Sequence, residues 1–204
     1  MARIGLFGGT FNPIHIGHLT IAEEARIAAG LDRVIFVPSG ESYFKDPLEI
    51  ASREDRYRMT RLACGDVYEV SDIETRRAGP SYTAVTCGEF RRLYPEDELY
   101  LILGADSILE ISRWRDPETI FRCVRVLAFT RGGQDGAALR AEAERLREAM
   151  SARIDIIDVF SLDVSSSDIR GWIAGGHAFR HMVTEGVYEY IRARGLYGFG
   201  ARAR

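Results

Sequence analysis

The chain has 204 residues, with 27 Lys+Arg against 30 Asp+Glu and a formal net charge of −3. That balance excludes a general electrostatic attraction to nucleic acid or to an anionic membrane surface. No apolar run approaches the roughly 20 residues of a membrane span and nothing at the N-terminus resembles a secretory signal, so a soluble cytoplasmic protein without nucleic-acid or membrane partners is expected. The length suits a single domain over residues 1–204, with residues 165–197 as its C-terminal helical part. Nothing in the sequence sets an oligomeric state. Cys64, Cys87 and Cys123 are odd in number and lack CxxC spacing, so neither a disulfide framework nor a zinc site is indicated.

RIGLF, residues 3–7, is the short apolar run of a strand buried on both faces in a parallel sheet. GGTFNPIHIGH, residues 8–18, follows it. Gly8 and Gly9 are expected to let the backbone turn tightly and approach a ligand, and Pro13 to stiffen the turn. Gly17 and His18 open a helix whose free N–H groups favour an anion. His15 and His18, three residues apart at that mouth, can face the same phosphate. Residues 18–30 read as the first crossover helix, ending in glycine.

Residues 33–40 are a second buried strand that runs into a loop carrying Lys45, the only lysine among the 27 basic residues. A compact ammonium is not freely replaced by a planar guanidinium, so Lys45 is a candidate site residue. Residues 53–64 return to helix, residues 67–74 alternate as a strand does, and residues 81–95 form an amphipathic helix stopped at proline. Residues 98–107 read as an apolar strand running into Gly104-Ala105-Asp106. A short helix through residues 116–121 and a strand over 123–131 follow. Residues 132–136 are a loop and 138–150 a charged surface helix. Residues 153–176 are strand, loop and helix with Ser165-Ser166-Ser167 at the helix start, and the chain closes with a helix over 184–194. Strands alternate with helices from end to end, which gives an α/β architecture, a Rossmann-like doubly wound parallel sheet with ligands at the carboxyl ends of the strands.

Two stretches carry chemistry together. SSSDIR, residues 165–170, places serine hydroxyls and exposed N–H groups at a helix N-terminus with an arginine one turn on, a site for a polyphosphate tail. With TFNPIHIGH, it resembles the two signatures of the nucleotidylyltransferase superfamily. There the first signature carries a (T/H)xGH tetrapeptide, here His15-Ile16-Gly17-His18, and the second reads ISSTxIR, here Val164 to Arg170. Ser167 in place of Thr and Val164 in place of Ile keep the hydroxyl and the apolar anchor. Class I aminoacyl-tRNA synthetases share the HIGH element but also want a lysine-rich KMSKS-like segment, which a single lysine cannot supply.

Four further pieces narrow the resemblance to the bacterial nicotinate-nucleotide adenylyltransferases: the VPSG loop with Lys45, Tyr82-Thr83, Gly104-Ala105-Asp106-Ser107, and Trp114 in SRWRDPETIF. Ser42-Tyr43-Phe44 precede Lys45 where that family has PPH. Its C-terminal ending is matched by residues 182–197, with Thr184 where proline is usual, a change expected to touch only the start of the helix. The resemblance implies a nucleotidylyltransferase fold and transfer of the adenylyl group of ATP to nicotinate mononucleotide, with deamido-NAD and pyrophosphate as products in NAD biosynthesis. His15 and His18 are then the catalytic pair. Gly8, Gly9, Thr10, Gly104, Asp106, Ser166, Ser167 and Arg170 bind ATP, and Lys45, Tyr82, Thr83 and Trp114 bind the mononucleotide. Mg²⁺ comes with ATP, without protein ligands. His177 and His181, at i,i+4, have no third ligand and are expected at the surface. Acceptors such as nicotinamide mononucleotide or phosphopantetheine, and a catalytically silent nucleotide sensor, are the alternative functions. The phosphopantetheine enzymes are typically shorter and lack the SRW segment.

Overall fold

A computed structural model describes residues 1–41, 50–131, 136–159 and 162–200. Six strands, β1 (Arg3–Gly9), β2 (Arg33–Pro38), β3 (Glu69–Val70), β4 (Glu98–Gly104), β5 (Arg125–Arg131) and β6 (Ile154–Val159), form one sheet in the order β3-β2-β1-β4-β5-β6. The β1–β4, β4–β5 and β5–β6 pairs run parallel, with Ile4 opposite Leu99 and Leu101 opposite Val126. Helices α1 (Ile16–Ala29), α2 (Arg53–Cys64), α3 (Thr83–Leu93), α4 (Ala105–Glu110), α5 (Pro117–Cys123), α6 (Gly136–Met150), α7 (Ser166–Gly175) and α8 (Glu185–Arg194) connect and follow the strands. This is the doubly wound α/β architecture that the alternation of elements predicts. The strand order reverses between β1 and β4, the switch point outside whose carboxyl ends such sheets bind their ligands.

The described residues fall into two compact units. The first comprises those of 1–8, 21–35 and 81–161. Its core is the apolar runs of the strands, with Ile4, Leu6, Leu99, Ile102, Val126 and Ala128 buried. Such runs lack polar alternation because both sheet faces are covered. Helix α6 turns Leu139, Ala143 and Leu146 inward at helical spacing, and α3 does the same with Ala84, Cys87 and Phe90. The second unit comprises the described residues of 9–20, 36–80 and 162–204. Its core combines Phe11, Phe36 and Tyr68, whose rings meet in sequence at 5.5 and 5.4 Å, with Met59 of α2, Ile169 and Ile173 of α7, and Val187 and Ile191 of α8.

Two elements depart from the expectation. The alternating stretch 67–74 yields only the two-residue strand β3. After Ser71, whose N–H reaches Phe36 O, the backbone closes into turns through Ile73 N to Ser71 Oγ and Arg76 N to Asp72 O, so local hydrogen bonds replace the ladder. The apolar run 98–107 ends as a strand at Gly104, and Ala105 to Glu110 form α4 with Asp106 in its first turn. An acidic residue at a helix start opposes the orphan N–H groups there, and it outweighs continuation of the strand. His177 and His181 are exposed, as expected.

Candidate active site

In the second unit the histidine loop is built against Phe11. Gly8 and Gly9 do not make the turn: both still belong to β1, and the reversal falls at Phe11, φ 48°. Gly9 is glycine for packing, since a Cβ there would lie 2.7 Å from the Phe11 ring, whereas one on Gly8 would meet nothing within 4 Å. Phe11 then sets its ring against that of His18, edge-on at a centroid distance of 5.0 Å.

His15 and His18 come together as their spacing predicts, with ring centroids 3.8 Å apart and planes inclined by 36°. His15 is buried and His18 half-buried. The first turn of α1 closes on His15, whose carbonyl accepts from His18 N at 3.0 Å. The His15 N–H donates to His18 Nδ1 at 3.3 Å. That bond uses the Nδ1 lone pair, so a neutral His18 carries its proton on Nε2, a donor on the ring's outer side. Between the two, Gly17 is required by close approach: a Cβ would lie 3.0 Å from His15 Nδ1 and 3.1 Å from Val164. The buried Val164 is the anchor that brings the second signature onto the first.

Helix α7 begins with a capping box, Ser165 Oγ accepting from Asp168 N and the Asp168 carboxylate accepting from Ser165 N. From this start Ser166 Oγ donates to Pro13 O at 2.9 Å, and Arg170 Nη1 donates to Asn12 O at 2.9 Å while Nη2 reaches Ser167 Oγ at 3.3 Å. The hydroxyl proton of Ser166 therefore fastens the histidine loop, and the first-turn N–H groups of α7 stay oriented at the helix mouth, where a helix has no acceptors of its own. Ser167 is exposed, and with Arg170, Ala51 and Tyr197 it lines a cavity of about 590 Å³.

The site residue that motif reading passes over is Arg56 of α2, 2% exposed. Its Nη1 donates to Thr10 O at 2.8 Å and Ser39 Oγ at 3.3 Å, its Nη2 to Gly40 O at 2.6 Å, and its Nε to Ala51 O at 3.2 Å. One guanidinium thus holds the histidine loop, the loop after β2 and the start of α2. Burial pulls its pKa down, with the charges of Tyr197, Glu54 and Glu74 acting the other way. Its place on the buried face of α2 with Met59, Thr60 and Cys64, where an arginine needs a reason, is known only once the helix is packed, so the sequence carries no signal for it. Beside it, Asp55 accepts from Tyr190 at 2.8 Å and from Arg194 at 3.2 Å. The Cys64 thiol is pushed up to about 12 by burial, so it is no nucleophile.

The first unit holds the other candidates. Gly8 is the last but one residue of β1, and Gly104 ends β4 and precedes α4 with Asp106 exposed in its first turn, at the carboxyl ends of the two strands that flank the switch point. Tyr82 caps α3, Thr83 opens it, and the guanidinium of Arg115 lies 4.5 Å from the Tyr82 ring centroid. Trp114, next in the chain, is half-buried after the turn closed by its N–H on Ile111 O. Lys45 lies outside the described residues. Among the described residues no group of three or more His, Cys, Asp or Glu is arranged to hold a metal ion, and no helix is long and apolar enough to cross a membrane.

A parallel sheet of this order, with paired histidines at its first helix mouth and a serine-started helix pinned to the same loop, defines a nucleotidyl-transferring class of protein. Residues 6–171 match the cytidylyltransferase-like family model, and the chain belongs to that family. It is 45% identical to a Moorella thermoacetica protein named "Probable nicotinate-nucleotide adenylyltransferase", over 96% of this chain and 91% of that one. A Roseiflexus protein of the same name is 44% identical over 96% of this chain and 98% of its own. These likenesses put the chain in the nicotinate-nucleotide adenylyltransferase branch of the family. A solved structure, Plasmodium falciparum nicotinic acid mononucleotide adenylyltransferase complexed with NaAD, superposes with a TM-score of 0.78 at 16% identity, covering 99% of this chain and all of that one, a likeness of fold.

Proposed function

We propose that the chain transfers the adenylyl group of ATP to the 5′-phosphate of nicotinate mononucleotide, giving deamido-NAD and pyrophosphate. The observation that carries this is the pinning of the α7 start to the histidine loop through Ser166 and Arg170, which puts a helix mouth suited to polyphosphate beside two imidazoles. The names of the full-length relatives supply the acceptor.

An oxygen of the acceptor phosphate attacks the α-phosphorus of ATP, and the bond from that phosphorus to the oxygen bridging to the β-phosphate breaks. Pyrophosphate leaves with the electron pair. The acceptor phosphate is already anionic near neutral pH, so neither a general base nor a covalent intermediate is needed, and catalysis is positioning with charge stabilisation. His18, through Nε2–H, and His15 bear on the α-phosphate and its bridging oxygen, with the backbone of Gly9 and Thr10 nearby. Ser166, Ser167 and Arg170 hold the departing phosphates. Mg²⁺ travels with ATP, whose phosphates are its ligands.

Gly8, Gly104 and Asp106 serve the adenosine portion. Trp114 stacks on the pyridine ring and Lys45 meets a substrate phosphate. Acid is chosen over amide by backbone N–H groups near Tyr82 and Thr83: at a helix start they lack internal acceptors, they suit a carboxylate, and they oppose an NH₂ group. The test is pyrophosphate release from ATP with nicotinate mononucleotide, nicotinamide mononucleotide and phosphopantetheine in parallel. Turnover on the first, at least about tenfold more efficient than on the second, is expected from one buried donor left unpaired. Equal efficiency on acid and amide, preference for phosphopantetheine, or no turnover on any acceptor overturns the assignment.

A further inference from the structure

The histidine loop is also held by the far end of the chain. Tyr197 OH donates to Asn12 Oδ1 at 2.8 Å across 185 residues of sequence. The same oxygen accepts from Ala51 N at 3.0 Å, and the Asn12 carbonyl accepts from Arg170. Asn12 is 1% exposed and stands three residues before His15. Tyr197 lies in the turn Leu196–Gly198 at φ 57° and ψ 24°, between Gly195 at φ 60° and Gly198 at φ 78°. A left-handed backbone favours glycine, and an aromatic residue held there marks a position whose side chain is used. Glycine would lack the ring and the hydroxyl, and the hydroxyl is the group that reaches Asn12. Burial pushes the hydroxyl's pKa well above that of an ordinary phenol, against the opposing charges of Arg170 and Arg56, so it stays a donor throughout the working pH range.

We propose that Tyr197 is a positioning residue for adenylyl transfer, its hydroxyl acting through Asn12 to hold the loop that carries His15 and His18 in register with the α7 mouth. The inference rests on the reading of the site given above. Reactions catalysed by positioning are sensitive to small displacements, about a hundredfold for 1 Å. Asn12 would keep its bond from Ala51 when the hydroxyl is removed, so the displacement is partial.

In the full chain, Tyr197→Phe is expected to lower kcat about tenfold, leaving KM for ATP and nicotinate mononucleotide within about twofold. Its thermal midpoint should stay within about 2 °C, because the ring and the turn remain. In an Asn12→Ala background the same substitution should cost nothing further, since the coupling runs through that carboxamide. A kcat within about twofold of wild type, an undiminished loss in the Asn12→Ala background, or a collapsed midpoint each overturns the proposal. Should wild type turn over none of the acceptors, the reading of the function fails, and the imidazole resonances of His15 and His18 decide the inference. Displacement of both by Tyr197→Phe supports it, and unmoved signals overturn it.

Discussion

Thr184→Pro should stabilise the protein without touching its activity. Thr184 precedes α8 at φ −72° and ψ 158°, within the range of proline, and Val183 before it is extended at φ −130° and ψ 167°, as a residue preceding proline must be. Its carbonyl accepts from Tyr188 N at 3.0 Å, a bond proline keeps. Its Oγ1 is buried without a hydrogen-bond partner and does not cap the helix, and its N–H donates to no group among the described residues, so the ring removes nothing. Relief of a buried unpaired hydroxyl is worth about 1–3 kcal/mol. Restricting the unfolded chain adds about 0.4–1 kcal/mol. Some packing of the threonine methyl is lost, so a net gain of about 2 kcal/mol follows, or about 4–8 °C in Tm for a chain of this length. Thr184→Val isolates the hydroxyl, because it deletes the polar atom and keeps the shape. Thermal and urea unfolding of both variants, beside pyrophosphate release, make the measurement. If neither variant is more stable than wild type, Oγ1 has a partner in solution and the reasoning fails.

Three other substitutions address the site. His18→Ala should leave the fold intact and cut turnover by at least about a hundredfold, the size expected when a stabiliser of transition-state charge is lost; near-normal turnover removes His18 from the mechanism. Arg56→Met keeps the apolar stem but removes the donor that the carbonyls of Thr10, Gly40 and Ala51 accept from, and a bond lost at a buried carbonyl costs about 1–3 kcal/mol. A loss of about 3 kcal/mol or more in urea unfolding is expected, together with reduced turnover in the folded fraction, and a loss under about 1 kcal/mol contradicts the role given to that guanidinium. At Asp55, burial acts to raise the carboxyl pKa, but hydrogen bonds from Tyr190 and Ser52 and the charge of Arg194 outweigh it and hold the group below its ordinary value. A depressed folded-state pKa gives stability that is present above the unfolded value and is lost as the pH falls through the folded one. Wild type should therefore lose stability below about pH 4 more steeply than Asp55→Asn, and parallel pH profiles would count against the tie between α2 and α8.

The chemistry is legible in the sequence where it is local. A strand and His15-x-x-His18 at a helix mouth lie within one stretch of chain, and Ser165-Ser166-Ser167 mark the start of α7, where Ser165 is the N-cap. The alternation of apolar runs with helical periods likewise determines a parallel doubly wound sheet, because strands buried on both faces leave no polar alternation. Sequence also places the reversal of the histidine loop wrongly, at Gly8 and Gly9, since a strand glycine with open space at its Cβ position, one packed under Phe11 and one at a turn look alike in one dimension. What tertiary structure alone decides is how the loop is held. Arg56 meets Thr10 across 46 residues, Ser166 meets Pro13 across 153, and Tyr197 meets Asn12 across 185. None of these partners shares a periodicity or a motif with the other, and an arginine on a helix or a tyrosine near a chain end reads as surface until burial is known. Their hydrogen bonds go to backbone carbonyls and a carboxamide, groups offered all along a chain, so only the fold selects which of them are met.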